Sequence, residues 1–173
     1  MVIKLINSCV IILISTFIGL ELARRYVART RELSALQGAL SRLETEILHY
    51  ASHLPEALIR IGESVGGGTG RLFCLTGQTL TDKKKFTVAE AWSSSLGQLK
   101  RELFFQQEDL DILHRFGNQL GSSDREGQVR FIRLTLLQLR EEEQKARMIR
   151  DKYEKMYRNL GILGGIALAI LLL

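Results

Sequence analysis

Both ends of this chain are long, uncharged and apolar, and that arrangement constrains the fold more than anything between them. The closing stretch is the clearer of the two. From Ser123 to Leu173 there is no proline, and Ser123 with Glu126 has the S-x-x-E spacing of a capping box. Such a box satisfies backbone N–H groups left over at a helix start. Apolar residues then recur at Val129, Ile132, Leu136, Leu139, Ala146, Tyr153 and Leu160, mostly at the alternating three- and four-residue spacing of a coiled-coil seam. Charged side chains fill the other faces as far as Arg158, after which none remains. The pattern predicts one helix that begins in water and runs into a membrane.

The opening segment predicts a second span. Residues 5–20 carry no charge, and Lys4 can snorkel outward. A secretory signal peptide has the same basic start and short apolar run, but no small-residue cleavage site follows here. Instead come Arg24, Arg25, Arg29 and Arg31, which resist translocation. By the positive-inside rule these arginines face the cytoplasm, as do Lys152, Lys155 and Arg158 ahead of the closing span. The expected topology is a hairpin with both termini outside: a span over residues 1–22, a cytoplasmic bundle over 23–158 and a span over 159–173. Residues 160–173 give only about 21 Å of helix against a hydrocarbon core of about 30 Å. Thinning or oligomerisation is therefore expected. Small residues form stripes on both spans, Ser15 and Gly19 on the first and Gly161, Gly165 and Ala169 on the second. They are candidates for close helix packing.

Between the spans the pattern is helical throughout. Leu33, Leu36, Leu40, Leu43, Ile47, Tyr50 and Leu54 form a second seam, the natural antiparallel partner of the one starting at Val129. Pro55 suits the first turn of a following helix. The stretch E-S-V-G-G-G-T-G-R reads as a flexible connection; it lacks the Lys-Ser/Thr pair and preceding strand of a phosphate-binding loop, since Leu72 follows Arg71. A short apolar helix comes next, then a basic turn over 82–85. Thr87 and Glu90 make another capping box ahead of T-V-A-E-A-W, whose Trp92 is the expected core anchor. A helix over 109–120 closes at Gly121. The fold class is all-α: a cytoplasmic bundle of about six helices, the first and last long, antiparallel and continuing into two transmembrane spans.

Chemistry is harder to find. His49 and His53 stand four residues apart but have no third ligand at a diagnostic spacing. Asp109 with Asp111, and the run 141–143, read as solvated helix faces. Cys9 and Cys74 do not make a metal site alone; with Cys9 in an apolar segment a disulfide between them is not expected, and a reduced compartment fits at least as well. The net charge of +5 is spread among interleaved signs, as in R-E-E-E-Q-K-A-R, rather than gathered into a nucleic-acid face. No catalytic residues, cofactor, metal, nucleic acid or small-molecule substrate are expected.

Five strings spread over the chain are E-L-A-R-R, L-E-T-E-I, T-V-A-E-A-W, F-G-N-Q-L-G-S-S-D-R-E-G-Q and K-Y-E-K-M-Y-R-N-L-G. In order and spacing they resemble the stage III sporulation protein AB family. The resemblance implies a membrane protein of endospore-forming bacteria, made in the mother cell and set in the outer forespore membrane. Members belong to the channel linking mother cell and forespore. Their cytoplasmic bundle is similar to the F-type platform protein of type II secretion machines. Implied partners are the sporulation secretion ATPase (stage III sporulation protein AA) and other stage III sporulation channel membrane proteins, with self-association besides. Carried over by motif, the candidate partner contacts are Glu21, Arg24, Arg25, Asp124, Arg125 and Glu126. The expected function is thus a non-enzymatic platform coupling an ATPase to a membrane assembly. The alternative is a membrane-anchored, self-associating signalling or pore-forming protein.

Overall fold

The computed structural model describes the backbone of residues 2–50, 53–82 and 86–172, and the side chains of residues 24–49, 53–82, 86–153 and 156. Within them lie six α-helices and no strand: α1 (Val2–Thr45), α2 (Leu54–Val65), α3 (Gly67–Asp82), α4 (Val88–Leu99), α5 (Gln107–Gln119) and α6 (Arg125–Leu172). A π-helical segment, Glu46–Tyr50, follows α1. The chain divides into two compact units, Arg29–Gln144 and the pair of segments Met1–Ala28 and Lys145–Leu173. Among the described residues no helix is long and apolar enough to cross a membrane. The backbone of segments 5–20 and 160–172 is helical, but their side chains lie outside the described residues. The same holds for Glu21 and for the stripes at Ser15, Gly19, Gly161, Gly165 and Ala169.

In the larger unit α1 and α6 run antiparallel. Partners fall along α6 as they rise along α1 and the π-helical segment: Glu142 and Glu143 meet Arg29 and Gln37, Arg133 meets Glu44, and Arg125 meets the carbonyls of Ile47 and Leu48. Leu33, Leu36, Leu40 and Leu43 are fully buried, as are Ile132 and Leu139. The first seam ends sooner than its spacing predicts. At Glu46 the helix widens to π geometry, Ile47 is only half-buried, and Leu54 opens the next helix. A wider turn changes the angular step per residue, so the heptad phase is lost there.

The short helices start and stop for local reasons. Thr87 Oγ1 accepts from the Glu90 N–H at 3.2 Å while the Glu90 carboxylate accepts from the Thr87 N–H at 2.8 Å, the expected box. The Thr87 N–H, with the Thr87 hydroxyl donating to the same oxygen at 2.9 Å, holds the Glu90 carboxyl below its ordinary pKa. Gly121, at φ +80°, follows the end of α5. The expected Ser123–Glu126 box does not form. Instead Asp124 caps α6, its Oδ1 accepting from the Gly127 N–H at 3.0 Å, and Glu126 stays exposed. With Asp124 as the cap the helix starts one residue later, and the capped donor is the Gly127 N–H rather than the Glu126 N–H that Ser123 would use.

The glycine stretch is not a flexible connection either. Only Gly66 separates α2 from α3, and both Gly66 and Gly67 take φ +65°, which tolerates no Cβ comfortably. The two helices then fold back with backbones nearly touching. A Cβ on Gly70 would stand 2.5 Å from the Gly62 carbonyl oxygen, and one on Gly62 would meet the Gly70 carbonyl oxygen at 2.5 Å.

Trp92 lies fully buried at the centre of the α3–α4–α5 side of the core. Its Nε1–H donates to the Leu113 carbonyl at 2.9 Å, and Phe73 and Phe116 meet its ring edge-on at centroid distances of 5.4 and 5.1 Å. Gly117 leaves the space its indole occupies: a Cβ there would be 2.2 Å from Trp92 Cδ1. In the smaller unit Tyr26 stacks on Tyr153 at 4.7 Å with rings 8° from parallel, and Ala146 is buried.

Gly70→Ala should lower stability by about 1–3 kcal/mol, the usual range for overpacking, because the atom it strikes is backbone. Gly38, with nothing within 4 Å of a built Cβ, is the matched control. Gly38→Ala should raise stability by roughly 0.5–1 kcal/mol through helix propensity alone. Thermal unfolding followed by circular dichroism measures both.

Candidate functional site

The largest polar feature of the core was not visible as such in the sequence. Arg29, 3% exposed, enters the α1 seam four residues before Leu33. Its Nε and Nη2 donate to the two carboxylate oxygens of Asp109, each at 2.8 Å, and Nη2 also donates to Glu142 at 3.2 Å. Asp109 is completely buried, and its Oδ2 further accepts from the Gln106 N–H at 2.8 Å. Burial pulls the guanidinium pKa down, but the bonds and charges of Asp109 and Glu142 more than offset this, and the net shift is upward. Arg29 is therefore a core residue, and Asp109 is not on a solvated face. Together with Glu142 they join α1, α5 and α6.

A second carboxylate takes up the backbone donors of the glycine-rich stretch. The Glu32 side chain lies at the start of α3, where its oxygens accept from the Gly68 N–H at 3.3 Å, the Thr69 N–H at 3.0 Å and the Thr69 hydroxyl at 2.7 Å. These are the donors an external anion would use. Helix α1 supplies the anion from within the chain.

The remaining candidates for chemistry are dispersed. His49 lies in the π-helical segment and His53 precedes α2, both exposed, so they do not share a face of one regular helix. Among the described residues no group of three metal-ligating side chains converges. Burial, helped by Glu63, pushes the Cys74 thiol above its ordinary pKa, which disfavours the reactive thiolate.

What the bundle offers outward is a surface. Asp124, Arg125 and Glu126 are exposed at the start of α6, as are Arg24 and Arg25 on α1. Arg125 reaches across to the Ile47 and Leu48 carbonyls of the π-helical segment. Beside it opens a groove of about 560 Å³, walled by Leu48, Arg125, Arg130, Arg133, Leu134 and Leu137. The two α6 leucines were missed in the sequence. Their signal was phase: positions 134 and 137 are apolar, one turn apart, and out of step with the seam at 129, 132, 136 and 139.

The larger unit is thus an all-helical bundle with a satisfied ionic core, an internally capped glycine turn and an open outer groove. A profile of the family described as stage III sporulation protein AB matches residues 4–173. The stage III sporulation protein AB of Bacillus subtilis (strain 168) is 32% identical over 170 residues, spanning 98% of this chain and 99% of that relative. A solved structure of a stage III sporulation protein AB has 29% identity and superposes with a TM-score of 0.68, covering 72% of this chain and 98% of the other. This chain belongs to the stage III sporulation protein AB family.

Removing Asp109 leaves a buried guanidinium without its bidentate partner, which costs about 3–5 kcal/mol. Asp109→Ala should therefore lower the melting temperature far more than Glu142→Ala, whose carboxylate meets Arg29 at a longer distance from a less buried position. The double variant Arg29→Met/Asp109→Leu, which removes both charges, should recover most of the loss. Equal melting temperatures for Asp109→Ala and the unaltered protein would count against this account.

Proposed function

We propose that the chain is a non-enzymatic membrane platform of the channel between mother cell and forespore. In this reading α1 and α6 continue as two spans with both termini outside, and the bundle lies in the mother-cell cytoplasm against the outer forespore membrane. There it couples the sporulation secretion ATPase, stage III sporulation protein AA, to the other membrane components of the channel. The observation that carries the reading is the near-complete family match along a chain whose two longest helices, α1 and α6, each contain an uncharged terminal segment. The basic residues flanking both segments favour a cytoplasmic bundle. The exposed Asp124, Arg125 and Glu126, set at the start of α6, give such a platform a place to meet a soluble partner. Shape similarity to F-type secretion platforms belongs to the same proposal.

The test is gentle detergent purification of the tagged full-length protein from sporulating cells, with partners identified by mass spectrometry. The platform reading expects the ATPase and the other channel proteins. Recovery only as a self-associated oligomer, with those partners present in the same membranes, overturns it in favour of a self-contained signalling or pore-forming role. Glu126→Lys should leave folding and membrane insertion intact while reducing ATPase recovery and sporulation. Normal sporulation in that variant argues against a contact at the α6 start.

A further inference from the structure

The outer face of α6 is too apolar for a surface that stays in water. Leu134 and Leu137 are 51% and 55% exposed, and Leu48 from the π-helical segment closes the same groove at 36%. Scattered exposed leucines need no explanation, but three around one concave surface do. The rim is basic. Arg133 is balanced by Glu44 at 2.7 Å yet remains largely exposed, while Arg125 bonds only neutral carbonyls and Arg130 makes no ion pair among the described residues. Glu126 is the single carboxylate lining the groove itself.

The helical repeat sets the size of what fits. Arg130, Arg133, Leu134 and Leu137 follow one another at i, i+3, i+4 and i+7, a stripe about 10 Å long at 1.5 Å per residue. Two turns of a second helix cover that length. A second copy of this chain laid on the same face would set guanidinium against guanidinium, a repulsive pairing. We propose that the groove binds an acidic amphipathic helix of a partner protein. Two apolar side chains of that helix, one turn apart, fill the space between Leu134, Leu137 and Leu48. Flanking carboxylates take charge-assisted bonds from Arg130 and Arg125, and one basic side chain of the same helix meets Glu126, so that Glu126→Lys repels it. The inference rests on the reading that the start of α6 meets a partner, and adds the chemistry of that partner.

A benzophenone amino acid placed at position 134 of the full-length protein in sporulating cells tests this, with the crosslinked segment identified by mass spectrometry. The expected product is a helix carrying aspartate or glutamate beside an apolar pair. Arg130→Glu or Leu137→Asp should cut its yield at least tenfold, while circular dichroism and membrane insertion stay unchanged. A lysine in place of the partner's carboxylate should restore the yield in the Arg130→Glu background. Should Arg130→Glu disturb folding, Arg130→Gln is the substitute and should still lower the yield severalfold. Crosslinks to lipid, to a second copy, to a segment without carboxylates, or to nothing overturn the proposal. ATPase recovery without a crosslink from position 134 overturns the groove alone and leaves the platform reading in place. A crosslink to an acidic helix of another protein, with no ATPase recovered, supports the groove and overturns the platform reading.

Discussion

A guanidinium drawn into a helical core must find its charge and its hydrogen bonds met there, and the packing of the larger unit depends on how Arg29 does so. Leucine seams are permissive. Sliding one helix past another by a heptad sets leucine on leucine again with similar burial. The fork of Arg29 against both oxygens of Asp109 has no such freedom, because a shift of even one residue leaves two buried charges apart. Asp109 in turn is tied to the first turn of α5 through the Gln106 N–H. One bidentate contact thus fixes the height of α1, the start of α5 and, through Glu142, the approach of α6.

Much of this architecture was legible in the sequence because it rests on period and local chemistry. The seams at 33–43 and 129–139, the Thr87–Glu90 box and the glycine closing α5 are all such features. What was not legible depended on atoms far apart in the chain. Asp109 looks like an ordinary acidic residue in the first turn of a helix, and only the arrival of a residue 80 positions earlier makes it a core group. A hint was present: stepping back along the α1 seam from Leu33 lands on Arg29, and a charge on a seam needs a buried partner. The Ser123–Glu126 spacing failed for the opposite reason, since Asp124 made a competing local cap equally short.

The outward-facing residues divide in the same way. Arg125 and Glu126 stood out as part of a recognisable string, but the groove they help to line comes from two elements meeting: the π-helical segment that follows α1 and the outer stripe of α6. The widened turn matters here. Arg125 spans to its carbonyls, so the side chain that the motif draws attention to is also the one that ties the end of α1 to the start of α6. A surface contact and a structural strut share one residue, which is why Glu126 rather than Arg125 is the cleaner position at which to separate binding from folding.

The α2–α3 hairpin is specified by what is missing. Its tightest contact is backbone against backbone at Gly62 and Gly70, with Gly66 and Gly67 supplying the reversal. A junction of this kind asks for emptiness at a few sites and little by way of side-chain chemistry at the rest. Sequence can therefore drift widely along the hairpin's outer face without moving it, much as a dovetail joint depends on the material cut away and is indifferent to the grain around it. For the bundle this means that the hairpin is free to acquire new surface character while the frame behind it stays in place.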